Sequence, residues 1–154
     1  MRLLFSSFFV VAMAACAPRT PVSPATNGPV AEKTTLAALQ NGLFTAGIFE
    51  KGRLVATPRP IQAPTGEMTL LLIVSARAPW AVALAEGKKN AAGPGDFDKL
   101  VASNRMLIGK SYVFDDGTYG IVLHFPGMPD DPHPTALAFS SLEHVQTVHL
   151  RQVY

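Results

Sequence analysis

Lys110-Ser-Tyr-Val-Phe-Asp-Asp-Gly-Thr-Tyr-Gly-Ile-Val-Leu-His-Phe125 decides the fold class of this chain. Two runs rich in aromatic and β-branched residues flank Asp116-Gly117, a preferred dipeptide for a two-residue hairpin turn because both positions of that turn need positive φ. With the turn placed there, Phe114 faces Tyr119 and Tyr112 faces Ile121. Tyr112, Phe114, Tyr119, Ile121, Leu123 and Phe125 then share one face of an antiparallel pair, which is expected to be core.

Working outward, a second hairpin is expected around Glu50-Lys51-Gly52, between Thr45-Ala-Gly-Ile-Phe49 and Arg53-Leu-Val-Ala-Thr57. Gly52 suits the left-handed position of a three-residue loop, and Pro58 and Pro60 end the second arm. Met68 to Ala76 is apolar at successive positions, the pattern of a central strand buried on both faces. Trp80 to Ala85 alternates large and small side chains and is read as a strand, although Pro79 also suits a helix N1 position. Thr135 to Phe139 and Gln146 to Val153 are further strand candidates. Asp96 is placed to cap a helix with Phe97, Leu100 and Val101 on one face, and a short helix is expected within Glu32 to Gln40, stopped near Gly42. The sum is an α+β domain over residues 32–154: a mainly antiparallel sheet of five to seven strands, at least two hairpins, and one to three short helices.

The first 31 residues read differently. Arg2, the apolar run Leu3 to Met13 and the small pair Ala14-Ala15 have the layout of a secretory signal. The run is shorter than the roughly 20 apolar residues needed to span a bilayer, and Pro18 breaks it. Met13-Ala14-Ala15-Cys16 resembles the lipobox of bacterial lipoproteins, with Met13 in place of the preferred Leu. That resemblance covers about a tenth of the chain. It implies cleavage after residue 15, three acyl chains at Cys16, and stable attachment to a membrane, since two or more chains anchor where one binds only marginally. In that family an Asp just after the Cys favours inner-membrane retention; Ala17 here leans towards the outer membrane, facing the periplasm. Cys16 is the sole cysteine, so no intramolecular disulfide supports the fold. Residues 16–31 carry Pro18, Pro21, Pro24 and Pro29 with one charge and no large side chain, the composition of a semi-rigid tether.

The formal net charge of +2 is spread thinly apart from Lys88-Lys89, which leaves no electrostatic footprint for nucleic acid. His124, His133, His144 and His149 fall at no spacing that puts two rings on one face of a helix or strand, so no metal site is expected. No cofactor motif is present: Gly93 to Gly95 lacks the Gly-Lys-Ser/Thr ending of a phosphate loop. Ser140-Ser141 with Glu143 and His144 sketches a hydrolase, but without a nucleophile elbow, and Ser140 three residues before Glu143 fits a helix capping box equally well. His133 is the histidine most exposed to carboxylates, beside Asp130-Asp131.

The surface candidates are apolar. Trp80, Phe125 and Met128 are candidate partner-binding residues, with Met106-Leu107-Ile108 sharing the same ambiguity between core and docking surface. These observations point to a lipid-anchored envelope protein, not an enzyme, acting as a structural or assembly subunit that binds another envelope protein. A carrier of small apolar ligands or lipids is the alternative.

Overall fold

The computed structural model describes residues 31–58, 66–88 and 95–153. Cys16 and the tether up to residue 30 lie outside them. The elements in chain order are β1 (Glu32–Lys33), α1 (Leu36–Gln40), β2 (Leu43–Glu50), β3 (Arg53–Ala56), β4 (Met68–Val74), α2 (Pro79–Ala85), α3 (Asp96–Ser103), β5 (Leu107–Val113), β6 (Tyr119–His124), α4 (His133–Ser140) and β7 (Val145–Val153). The fold is α+β. All seven strands join one sheet in the order β1-β5-β6-β4-β7-β2-β3, antiparallel throughout except for the short β1, which runs parallel to β5.

β4 holds the centre of the sheet, as its unbroken apolar run predicts, and every residue from Thr69 to Val74 is buried. Its even-numbered residues Leu70, Leu72 and Val74 face the layer formed with α2, α3 and α4, where they meet Phe49, Ile121, Phe139 and Leu150. Its odd-numbered residues Leu71 and Ile73 face the opposite side, where Val122, Tyr112 and Phe114 join Leu36 and Leu39 of α1. The two faces are therefore unequal: three helices cover one, and a five-residue helix covers part of the other.

The hairpin at Asp116 forms with a different register from the expected one. Phe114 O accepts from Gly117 N at 3.0 Å and Phe114 N donates to Thr118 O at 2.9 Å, so the loop is Asp115-Asp116-Gly117, three residues long. Only Gly117 takes positive φ, at 80°, and the Asp116 carboxylate accepts from both the backbone N–H and the hydroxyl of Thr118. These two bonds hold the Asp116 carboxyl below its ordinary pKa. The extra loop residue pairs Val113 with Tyr119 and Tyr112 with Gly120. With a side-chain period of two, a slip of one residue moves a whole strand's side chains to the other face. Tyr112 and Phe114 accordingly leave Tyr119, Ile121, Leu123 and Phe125 and pack with Val122 on the α1 side. Gly120 makes this possible, since a Cβ there would lie 2.8 Å from Cζ of Phe114. The second hairpin reverses the expectation too: Glu50 pairs with Arg53, and Lys51 (φ 47°) and Gly52 (φ 72°) form a two-residue turn in which both residues are left-handed.

Two segments expected as strands are helices, which raises the helix count to four. In α2 Pro79 occupies the first turn, and Ala81, Ala83 and Ala85 are buried together with the N-cap residue Ala78. Ala78, Ala81 and Leu84, three apart, meet the core at a helical spacing, and the small alanines let the backbone approach the sheet. In α4, Ala136, Phe139 and Ser140 are the buried set, again at three and four. The Asp131 carboxylate accepts from His133 N at 3.0 Å and satisfies a free N–H at the start of that helix. α3 forms as expected with Phe97 inward, although Gly95 is its N-cap and Asp96 its first residue. α1 is shorter than the expected span: Thr35 caps it, accepting from Ala38 N at 3.2 Å, and Glu32–Lys33 leave it to pair with β5.

Candidate functional site

The sequence candidates Trp80, Phe125 and Met128 do not form one surface. Trp80 follows the Val74 end of β4, is half-buried, and stacks on Phe97 with ring centroids 4.1 Å apart and planes 11° from parallel. Phe97 meets Phe139 edge-on at 6.0 Å, so this aromatic row ties α2, α3 and α4 together. Phe125 is 7% exposed and belongs to the core, which removes it as a docking residue. Met128 alone of the three is open, at 60% exposure.

Met128 lies at the other end of the sheet, in the turn after β6. There Phe125 to Met128 and Gly66-Glu67, which precede β4, line an open groove of about 480 Å³. Leu107, at the start of β5, is opposite His124 in register and is 61% exposed; Val153, at the end of β7, hydrogen-bonds through its N–H to Glu67 O at 3.2 Å and is also exposed. Ile108 is exposed and Met106 is buried. An exposed Leu, Met and Val thus share one sheet end with a groove lined by Glu67, whose carboxylate is held by His124, Nδ1 to Oε1 2.8 Å.

The histidines are dispersed. His133 Nδ1 contacts Asp131 at 2.9 Å in an exposed turn, and its ring meets Phe49 edge-on at 5.8 Å. Hydrogen bonds from the N–H and ring of His133 hold the Asp131 carboxyl below its ordinary value. His144, left-handed at φ 70°, approaches Glu143 at 3.6 Å. Among the described residues no three His, Asp or Glu side chains gather as a metal-binding group.

The serines have structural partners. Ser140 ends α4 and so is not the N-cap of a capping box. Its buried hydroxyl donates to Leu137 O at 2.8 Å and accepts from Gly52 N at 3.0 Å, pinning the β2–β3 turn to the helix. Ser141 donates to the same Leu137 carbonyl at 2.9 Å.

A second feature escapes sequence reading altogether. Across the α1 side of the sheet, register aligns His124, Thr69, Arg151 and Thr45 in one row over β6, β4, β7 and β2. Arg151 is 3% exposed and His149, two residues before it on the same face, is 6% exposed. Arg151 Nη1 donates to Leu39 O at the end of α1, at 3.1 Å, while its buried Nε and the Nδ1 of His149 have no hydrogen-bond partner among the described residues. Burial lowers the pKa of His149, and the positive charge of Arg151 lowers it further, so this ring is neutral near pH 7. Burial also pulls Arg151 down, with Tyr112 acting in the opposite direction. In Val145 to Val153, polar residues alternating with Val148 and Leu150 read as the solvent side of a one-sided strand. α1 returns over that face, where its Leu39 carbonyl takes the bond from Arg151.

A comparison of the chain with protein-family models, with curated proteins and with solved structures finds no match in any of the three.

Proposed function

We propose that this protein is a lipid-anchored envelope lipoprotein, attached through Cys16, whose domain acts as a non-enzymatic assembly or accessory subunit by binding another envelope protein. The observation that carries the binding half is the grouping of exposed Leu107, Met128 and Val153 at one sheet end beside the Phe125–Met128 groove. Large apolar side chains gathered at a groove with a polar rim are the anatomy of a contact surface rather than the scattered exposure of an ordinary one. The anchoring half rests on the resemblance of Met13 to Cys16 to a lipobox and on the proline-spaced tether. Ala31, which donates its N–H to Ala85 O at 2.8 Å, is where that tether meets the domain. Outer-membrane attachment facing the periplasm follows from Ala17 in the same reading.

The carrier alternative requires room between sheet and helices. That layer holds Phe49, Leu70, Leu72, Ile121, Phe139 and Leu150, all fully buried, and gives it no support.

The test places a photocrosslinking residue at Met128 in the full chain expressed in a bacterial host, with Lys99 on the far side of α3 as control. The expected result is a discrete membrane-bound adduct from position 128, absent from position 99 and lost in a Leu107→Asp background. Equal adducts from both positions refute the surface assignment. A Cys16→Ala variant that stays in the membrane fraction with unchanged mass refutes the anchor.

A further inference from the structure

Arg151 is a buried cation whose only hydrogen bond among the described residues goes to one backbone carbonyl, with Tyr112 the other group that favours its charge. A guanidinium stays charged in a protein and presents five N–H donors in a rigid fork shaped for carboxylate or phosphate oxygens. The chain has eleven Asp and Glu residues, all within the described segments, and no ion pair joins any of them to Arg151. The nearest along the sheet, Glu67, is held by His124 at 2.8 Å. The partial negative charge at the end of α1 offsets part of the cost, but that helix has only five residues, and one carbonyl leaves most of the fork unused. An isolated buried charge is expensive, and polar groups left unpaired in a native structure call for a missing partner.

We infer that Arg151 is the charge of a binding site for a small oxyanion, a carboxylate or phosphate group, on the α1 side of the sheet. The surroundings suit such a ligand. Thr69 and Thr45 flank Arg151 in register on the neighbouring strands and bring hydroxyls to the same face, and the second unpartnered nitrogen, Nδ1 of His149, stands two residues away. None of these residues lines the Met128 groove, so the two sites are distinct.

The test is calorimetric titration and thermal unfolding of the purified full chain in neutral detergent, at constant ionic strength, with inorganic phosphate, glycerol phosphate and succinate as probes against chloride. Saturable binding by at least one probe is expected, with a rise of about 5 °C in the unfolding midpoint at ten times its Kd. Phosphate and glycerol phosphate acting together mark a phosphate or headgroup ligand, and succinate alone a carboxylate. Arg151→Met, which removes the charge but keeps the stem, is expected to fold and to lose the response. If it does not fold, Arg151→Lys replaces it and is expected to weaken binding at least tenfold, because an ammonium lacks the fork. No response from wild type, or the same response from the variant, overturns the site and leaves Arg151 as a strut for the end of α1.

Discussion

Ser140→Ala tests whether the Ser140 hydroxyl is a structural strut, and the neighbouring serine supplies its own control. Ser140 is 1% exposed, and its oxygen is the acceptor for Gly52 N–H at 3.0 Å, a bond joining residues 88 apart in sequence. Alanine leaves that N–H in a part-buried position with no replacement. The Leu137 carbonyl keeps its bonds from Ser141 N at 3.2 Å and Ser141 Oγ at 2.9 Å, so the loss is confined to the turn. Orphaning one buried donor costs about 1–2 kcal/mol, equivalent to a fall of about 3–8 °C in Tm for a domain of this size. Ser141→Ala removes an exposed hydroxyl from a carbonyl that remains satisfied, and a change of under about 0.5 kcal/mol is expected. Denaturant unfolding measures both. Native-state hydrogen exchange adds a local readout: protection of the Gly52 amide falls about tenfold in Ser140→Ala and is unchanged in Ser141→Ala. Equal stability of the two variants, or unaltered Gly52 protection, refutes the strut.

Deleting Asp115 leaves a two-residue Asp116-Gly117 loop with Phe114 still opposite Thr118, so half-buried Tyr112 and Phe114 keep their packing with Val122; a change of under about 1 kcal/mol in urea unfolding is expected, and a loss of more than about 2 kcal/mol contradicts the register. The pKa of His149 is lowered in the folded state, so the unfolded chain binds more protons near pH 6 and stability contributed by the neutral ring above its unfolded value of about 6.5 is lost as pH falls. Unfolding free energies from pH 7 to pH 5 are therefore expected to decline less steeply in His149→Gln than in wild type, by no more than about 1.4 kcal/mol per pH unit; parallel curves contradict the assignment.

Much of the sheet was legible because its signals are local. Met68 to Val74 is apolar on both alternations and becomes the central strand; Asp116-Gly117 and Lys51-Gly52 mark turns that form where they stand. The two helix errors share a cause. Trp80 to Ala85 and Thr135 to Phe139 are short enough that a period of two and a period of 3.6 fit almost equally, and packing against the sheet selected the helix, through Ala78, Ala81 and Leu84 in one and Ala136, Phe139 and Ser140 in the other. The hairpin register turned on a single loop residue, which the Asp116–Thr118 bonds and the fit of Phe114 over Gly120 decide together.

By itself the sequence determined the α+β class, the central strand and the positions of both turns, because strand alternation and turn residues act over a few residues at a time. Tertiary structure decided which turn has two residues and which three, that Phe125 is core while Leu107 and Met128 gather at one open end, and that Arg151 is buried without a carboxylate. Each of these depends on residues far apart in the chain: the end of α1 must return to β7 for the Leu39 carbonyl to meet Arg151, and no local pattern records that contact.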